Sequence, residues 1–168
     1  MEINWLSIIV AALIPLLVGF VWYNPKTFGT AWMKSAGMTE ESMKGANMAV
    51  IFGSTFVLGL LLAMGIGGLA THDGFVQGAL YYVTGGEVPA AGSEAETWWS
   101  YYLNNLAADN HTFKHGAFHG FMFGGFFISL PVLAINALFE RKSWKYILIN
   151  AGFWIVCCTL MGGLLAAW

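Results

Sequence analysis

The chain has 168 residues, of which 58% are hydrophobic and only 10% are charged, and its mean hydropathy is +0.66. A soluble domain carries roughly 25% charged residues, because water must wet its surface. The composition therefore excludes an ordinary soluble domain and predicts an all-α integral membrane protein whose main contact is the lipid bilayer. The net charge of −2, without any basic run, gives no reason to expect a nucleic acid partner.

Four apolar segments are long enough to cross the hydrocarbon core of a membrane, which takes about 20 helical residues. They cover about residues 5–23, 48–70, 115–139 and 144–168. None of them has Asp, Glu, Lys or Arg near its middle. We expect a single membrane domain over residues 1–168, built as a bundle of four transmembrane helices.

The basic residues predict how this bundle is oriented. Six of the seven lie in or beside the connections between the first and second spans and between the third and fourth spans. The connection between the second and third spans holds only Lys114. Because basic residues stay on the cytoplasmic side, both chain ends and the loop subdomain 71–114 are predicted to be extracytoplasmic.

Both longer connections carry helix signals. Residues 28–36 are predicted to form a short interfacial helix, and Thr39 followed by two acids predicts that the second span begins about two turns before the lipid. In the second connection a helix is expected from Glu94, with Trp98, Tyr102 and Leu106 on one face and resting on the membrane surface. The alternative is a partly ordered loop.

Small residues in the third span indicate close helix packing. Gly116, Gly120 and Gly124 follow one another at four-residue steps, which lets helix backbones approach. This pattern supports a first hypothesis: a non-enzymatic protein that acts through assembly, as a homo-oligomer or with another membrane protein. No nucleophile elbow, Walker loop or HExxH motif is present. A small-solute transporter is less favoured, because such proteins usually carry a charged residue at the membrane midplane.

Three histidines open the third span: His111, His115 and His119 recur every fourth residue. On one helix face they form a ladder, but the outer two are about 12 Å apart and cannot easily share an ion. Either His111 with His115 or His115 with His119 would bind Zn²⁺ or Cu²⁺. The remaining ligands would come from one side of the bundle: His72, Asp73 or Asp109. This predicts a metal-binding membrane protein as the second hypothesis, and hydrogen-bonded interfacial histidines as its alternative.

Motifs at both ends of the chain carry a family resemblance. The first half contains Asn4-Trp5, Trp22-Tyr23-Asn24-Pro25, Phe28-Gly29-x-x-Trp32-Met33 and Thr39-Glu40-Glu41. The second half contains Asn136-Ala-Leu-Phe139-Glu140-Arg141-x-x-Trp144-Lys145, Ile149-Asn150-Ala151-Gly152 and Met161-Gly162-Gly163. The chain resembles a family of small bacterial membrane proteins catalogued as domain of unknown function seventeen sixty-one. The resemblance implies a four-helix protein of the bacterial inner membrane and supplies no activity; the long second connection departs from the family pattern.

Overall fold

The computed structural model describes residues 4–168, in which all regular secondary structure is helical. In chain order the helices are α1 (Trp5–Trp22), α2 (Gly29–Ala36), α3 (Glu40–Met43), α4 (Met48–Ala70), α5 (Asp73–Thr84), α6 (Glu94–Asn105), α7 (Ala107–Asn110), α8 (Phe113–Phe139) and α9 (Trp144–Ala167). Helices α1, α4, α8 and α9 are long and apolar enough to cross a membrane. This confirms the predicted all-α fold with four such helices. The predicted domain 1–168 also includes residues 1–3, which lie outside the described residues.

Polar side chains set where the long helices begin. Each of the four is preceded by a residue whose side-chain oxygen accepts a hydrogen bond from the helix backbone: Asn4, Asn47, Thr112 and Ser143. Thr39 caps the short helix α3 instead. The prediction that the second span begins two turns before the lipid is therefore wrong, because Asn47 starts a separate helix.

Helix α9 lies at the centre of the bundle. Its side chains Cys157, Cys158 and Met161 are fully buried, and α1, α4 and α8 pack around it. The outward faces of α4 and α8 expose large apolar side chains, among them Leu58, Leu61, Phe118 and Phe127. An apolar outer surface of this kind fits a protein embedded in lipid.

The glycines of α8 bring it into direct backbone contact with α9. A Cβ placed on Gly120 would lie 2.0 Å from the carbonyl oxygen of Cys158, and one on Gly116 would lie 2.1 Å from that of Gly162. Only glycine permits so close an approach. The glycines that motivated the assembly hypothesis therefore pack against another helix of the same chain.

At one end of the bundle, polar contacts join the ends of α1 and α2 to α9 and to the turn that precedes α9. Trp22 Nε1 donates a hydrogen bond to the Ile149 carbonyl oxygen (3.1 Å), and Tyr23 Oη donates one to Asn150 Oδ1 (3.0 Å). Lys142 Nζ donates to the Ala36 carbonyl oxygen at 3.0 Å. The other end of the bundle holds the end of α4, the start of α8 and the histidines.

Residues 71–112, which we call the cap, contain α5, α6 and α7 at the histidine end of the bundle. Helix α6 forms where the sequence predicted one, and Ser93 caps it. However, Tyr102 is buried at 5% exposure, whereas Trp98 is 61% exposed. Trp98, Tyr102 and Leu106 therefore do not form one exposed apolar face, because Tyr102 packs into the protein while the other two stay exposed.

Candidate metal centre

Two chain segments bring three histidines together at the histidine end of the bundle, where α4 ends and α8 begins. His72 lies between α4 and α5, and its carbonyl oxygen accepts hydrogen bonds from the backbone of Phe75 (3.1 Å) and Val76 (3.0 Å), which hold the corner. His115 and His119 occupy the first two turns of α8. Thr112 Oγ1 accepts a hydrogen bond from the His115 backbone N–H at 3.2 Å, so the helix start fixes the register of both histidines.

The three imidazole rings form a compact cluster. The ring centroids of His115 and His119 are 4.5 Å apart, and the His72 centroid lies 5.0 and 5.1 Å from them. One ring nitrogen from each histidine lies within 4.8 Å of the other two. We call His72, His115 and His119 the histidine cluster.

One ring nitrogen of each histidine in the cluster lacks a hydrogen-bond partner in the part of the chain that the structure describes. His72 Nε2, His115 Nε2 and His119 Nδ1 are shielded from solvent, and the described residues offer none of them a hydrogen bond. A buried polar atom without a partner costs about 1–3 kcal/mol, so buried polar groups are normally paired. Each histidine of the cluster therefore has one buried ring nitrogen that the described residues leave unpaired.

His111 is not part of the cluster. Its Nε2 lies 2.9 Å from both carboxylate oxygens of Asp73, which is only 4% exposed. The predicted three-histidine ladder breaks here because Thr112 has an extended backbone (φ −129°, ψ 149°) and α8 begins after it. Asp109 is exposed and also lies outside the cluster.

Sequence reasoning missed Tyr102, whose hydroxyl donates a hydrogen bond to Asp73 Oδ1. Burial raises the pKa of Tyr102 to about 12, and the hydrogen bond to Asp73 contributes in the same direction. The two residues are 29 positions apart. No local pattern signals their contact, apart from the placement of Tyr102 on an amphipathic helix.

Helix α8 departs from α-helical geometry directly after the cluster. Residues Gly120–Ser129 form a π-helix, and Ser129 Oγ donates a hydrogen bond to the Gly124 carbonyl oxygen at 2.6 Å. Segments of π-helix are rare and are frequently found at functional sites. The wider turns begin one residue after His119, where α8 packs against α9.

Chemically, the cluster offers three imidazole nitrogens and no carboxylate or thiolate. Neutral imidazole suits Zn²⁺, Cu²⁺ and other first-row transition metals. Three protein ligands also leave a fourth position of a tetrahedral ion for water or another small ligand. All three histidines of the cluster are among the ligands predicted from the sequence. The sequence left open which pair of histidines, and which further ligands, would bind the same ion.

Comparison with known proteins places the chain in a family. No curated protein and no solved structure matches it. One family matches over residues 6–166, nearly the whole chain, and it is described as a protein of unknown function, DUF1761. The resemblance read from the end motifs is confirmed, and the chain belongs to the DUF1761 family.

Proposed function

We propose that this protein binds one divalent transition metal ion, Zn²⁺ or Cu²⁺, through the histidine cluster. The observation that carries the proposal is the meeting of three histidines, each with one ring nitrogen within 4.8 Å of those of the other two. One nitrogen of each histidine (His72 Nε2, His115 Nε2 and His119 Nδ1) is also buried without a hydrogen-bond partner among the described residues. A single cation accepts all three lone pairs at once. Nitrogens bound to one tetrahedral zinc ion lie about 3.4 Å apart, so small side-chain rotations bring a cluster of this size to binding distance.

The alternative is that these histidines bind water or loop carbonyl oxygens. One water molecule donates two hydrogens, so it pairs all three nitrogens only if one of them carries a proton and donates to the water oxygen. A metal ion binds all three as unprotonated nitrogens. No described carbonyl oxygen accepts a hydrogen bond from the three nitrogens in question. By contrast, His111 already has a protein partner in Asp73, as expected of a structural histidine. The difference between His111 and the cluster favours the metal.

We further propose a cellular location for the protein. Membership of the family and the four apolar helices support a multi-pass protein of a bacterial inner membrane. With the basic residues on the cytoplasmic side, the histidine cluster and the cap face outward. Because the sequence carries no catalytic motif, we assign the protein a binding role rather than a reaction. Assembly with a second copy no longer has the glycines of α8 as support, since they pack on α9.

The test is elemental analysis of protein purified in detergent, before and after incubation with Zn²⁺ or Cu²⁺ and removal of excess metal. We expect about one metal ion per chain, and its loss in His115→Ala. The matched control is His111→Ala, which removes a neighbouring histidine that binds Asp73 instead. Absence of stoichiometric metal after loading, or equal loss in both variants, would overturn the proposal.

A further inference from the structure

The cap contains a cavity that the metal proposal does not use. It has a volume of about 570 Å³, within the size range of small-molecule sites. It lies between α5, the turn that follows α5, and α6. Its lining includes Tyr81 and Tyr82 of α5, Glu87 of the turn and Trp99 of α6. Three aromatic residues and one acidic residue therefore line the same space.

Two of the rings are held in place by neighbouring groups. Trp99 stacks on Tyr102, with centroids 5.7 Å apart and planes 27° apart, and Tyr102 is in turn bound to buried Asp73. Tyr81 lies against Gly86, where an added Cβ would come within 2.9 Å of its ring. Gly86 also has a positive φ of 88°, so glycine both permits the turn and leaves room for the ring. The aromatic lining is thus fixed on two sides of the cavity.

The charge of this region has one sign. The cap, residues 71–112, contains five carboxylates and neither Lys nor Arg, and the next basic residue is Lys114 at the start of α8. One of the carboxylates, Glu87, lies in the cavity lining. No Lys, Arg or His is among the residues that line the cavity, so a cation that enters it meets Glu87 and no competing basic side chain.

We infer that the cap cavity binds an organic cation carrying an alkylated ammonium group, with Tyr81, Tyr82 and Trp99 as the aromatic walls and Glu87 as the counter-charge. Aromatic faces attract such cations through their quadrupoles, and quaternary ammonium groups are the ligands best matched to aromatic cages. The same headgroup chemistry occurs in free choline-type solutes and in phosphatidylcholine. The inference does not depend on a metal, because none of the four residues belongs to the histidine cluster.

The experiment is isothermal titration calorimetry of the full chain in nanodiscs of phosphatidylglycerol, with choline as the probe. We expect saturable binding of choline and at least tenfold weaker binding of the neutral alcohol in which carbon replaces the nitrogen. Tyr82→Ala should weaken choline binding about two- to thirty-fold, the range expected for the loss of one cation–π contact. Glu87→Gln should also weaken it, because it removes the counter-charge of the cation. Tyr82 is 92% exposed, so its loss leaves the fold intact.

Trp98→Ala is the matched control, because Trp98 neighbours Trp99 but does not line the cavity. This variant should bind choline as the unaltered chain does. Weaker choline binding in phosphatidylcholine nanodiscs would identify the lipid headgroup as the occupant, whereas equal binding would identify a free solute. Equal affinity for choline and the neutral alcohol, no binding of choline, or indifference to both Glu87→Gln and Tyr82→Ala would overturn the inference.

Discussion

Replacing Gly120 with alanine tests whether the contact between α8 and α9 determines the stability of the bundle. The added Cβ would lie 2.0 Å from the Cys158 carbonyl oxygen, and real Cβ atoms essentially never approach another heavy atom within 3.0 Å. Both atoms belong to backbones that cannot rotate away, so the two helices must separate by about 1 Å. Overpacking of this kind costs about 1–3 kcal/mol. At about 2–4 °C per kcal/mol for a chain of this size, a cost at the upper end lowers the melting temperature by about 6–12 °C.

The assay is thermal unfolding of the purified protein in detergent, followed by circular dichroism. Gly53→Ala is the control, since Gly53 is exposed on α4 and an added Cβ would meet nothing within 4 Å. It should unfold at or slightly above the melting temperature of the unaltered chain, because alanine favours a helix over glycine by about 0.5–1 kcal/mol. Because His119 precedes Gly120, the same displacement should also weaken metal binding by the folded Gly120→Ala protein. Equal melting temperatures for the two variants would refute the packing argument.

Three further predictions follow from single contacts. Tyr102→Phe should lower the free energy of unfolding at pH 8 by about 1–3 kcal/mol, because buried Asp73 loses a donor. The pKa of Tyr102 is raised in the folded state to about 12 from an ordinary value of 10.0. The contribution of Tyr102 to the free energy of unfolding is therefore complete below pH 10 and is lost as the pH rises through 12. The difference in urea unfolding between wild type and variant should therefore shrink above pH 10, and a constant difference would count against this. Lys142→Met should lower the stability measured by thermal unfolding by about 1 kcal/mol, because the Lys142 ammonium binds the last carbonyl group of α2. The control is Lys145→Met, which should cost less because Lys145 is exposed. Equal costs would show that the contact between Lys142 and α2 does not stabilise the fold. Zn²⁺ at a hundred times its dissociation constant should stabilise the chain by about 2.7 kcal/mol, measured as a rise in melting temperature, and a similar rise in His115→Ala would place the ion elsewhere.

Much of the fold follows from local properties of the sequence. Length and apolarity alone locate four spans, since any helix of about 20 apolar residues is stable in a bilayer. The start of the third span shows the limit of this reasoning. Hydropathy predicts a start at residue 115, beyond Lys114, whereas the helix begins at Phe113. The Thr112 cap, and not the charge of the first turn, determines the boundary.

The candidate site was only partly predictable. Helical spacing correctly places His115 and His119 on one face, because both lie in the same α-helical segment. Which other group completes the cluster depends on how the end of α4 meets the start of α8. His72 and Asp73 are adjacent in sequence, yet His72 joins the cluster and Asp73 binds His111 and Tyr102. Contacts between residues tens of positions apart cannot be read from spacing.

The two four-residue patterns of α8 act together. Gly116 and Gly120 each follow a histidine by one residue, which is about 100° around a helix. One face of α8 therefore packs against the backbone of α9, while the adjacent face presents His115 and His119 to His72. Any side chain larger than glycine at these two positions would move the imidazoles as well as the helix. The glycines, which first suggested contact between chains, instead fix the distance at which the three histidines meet.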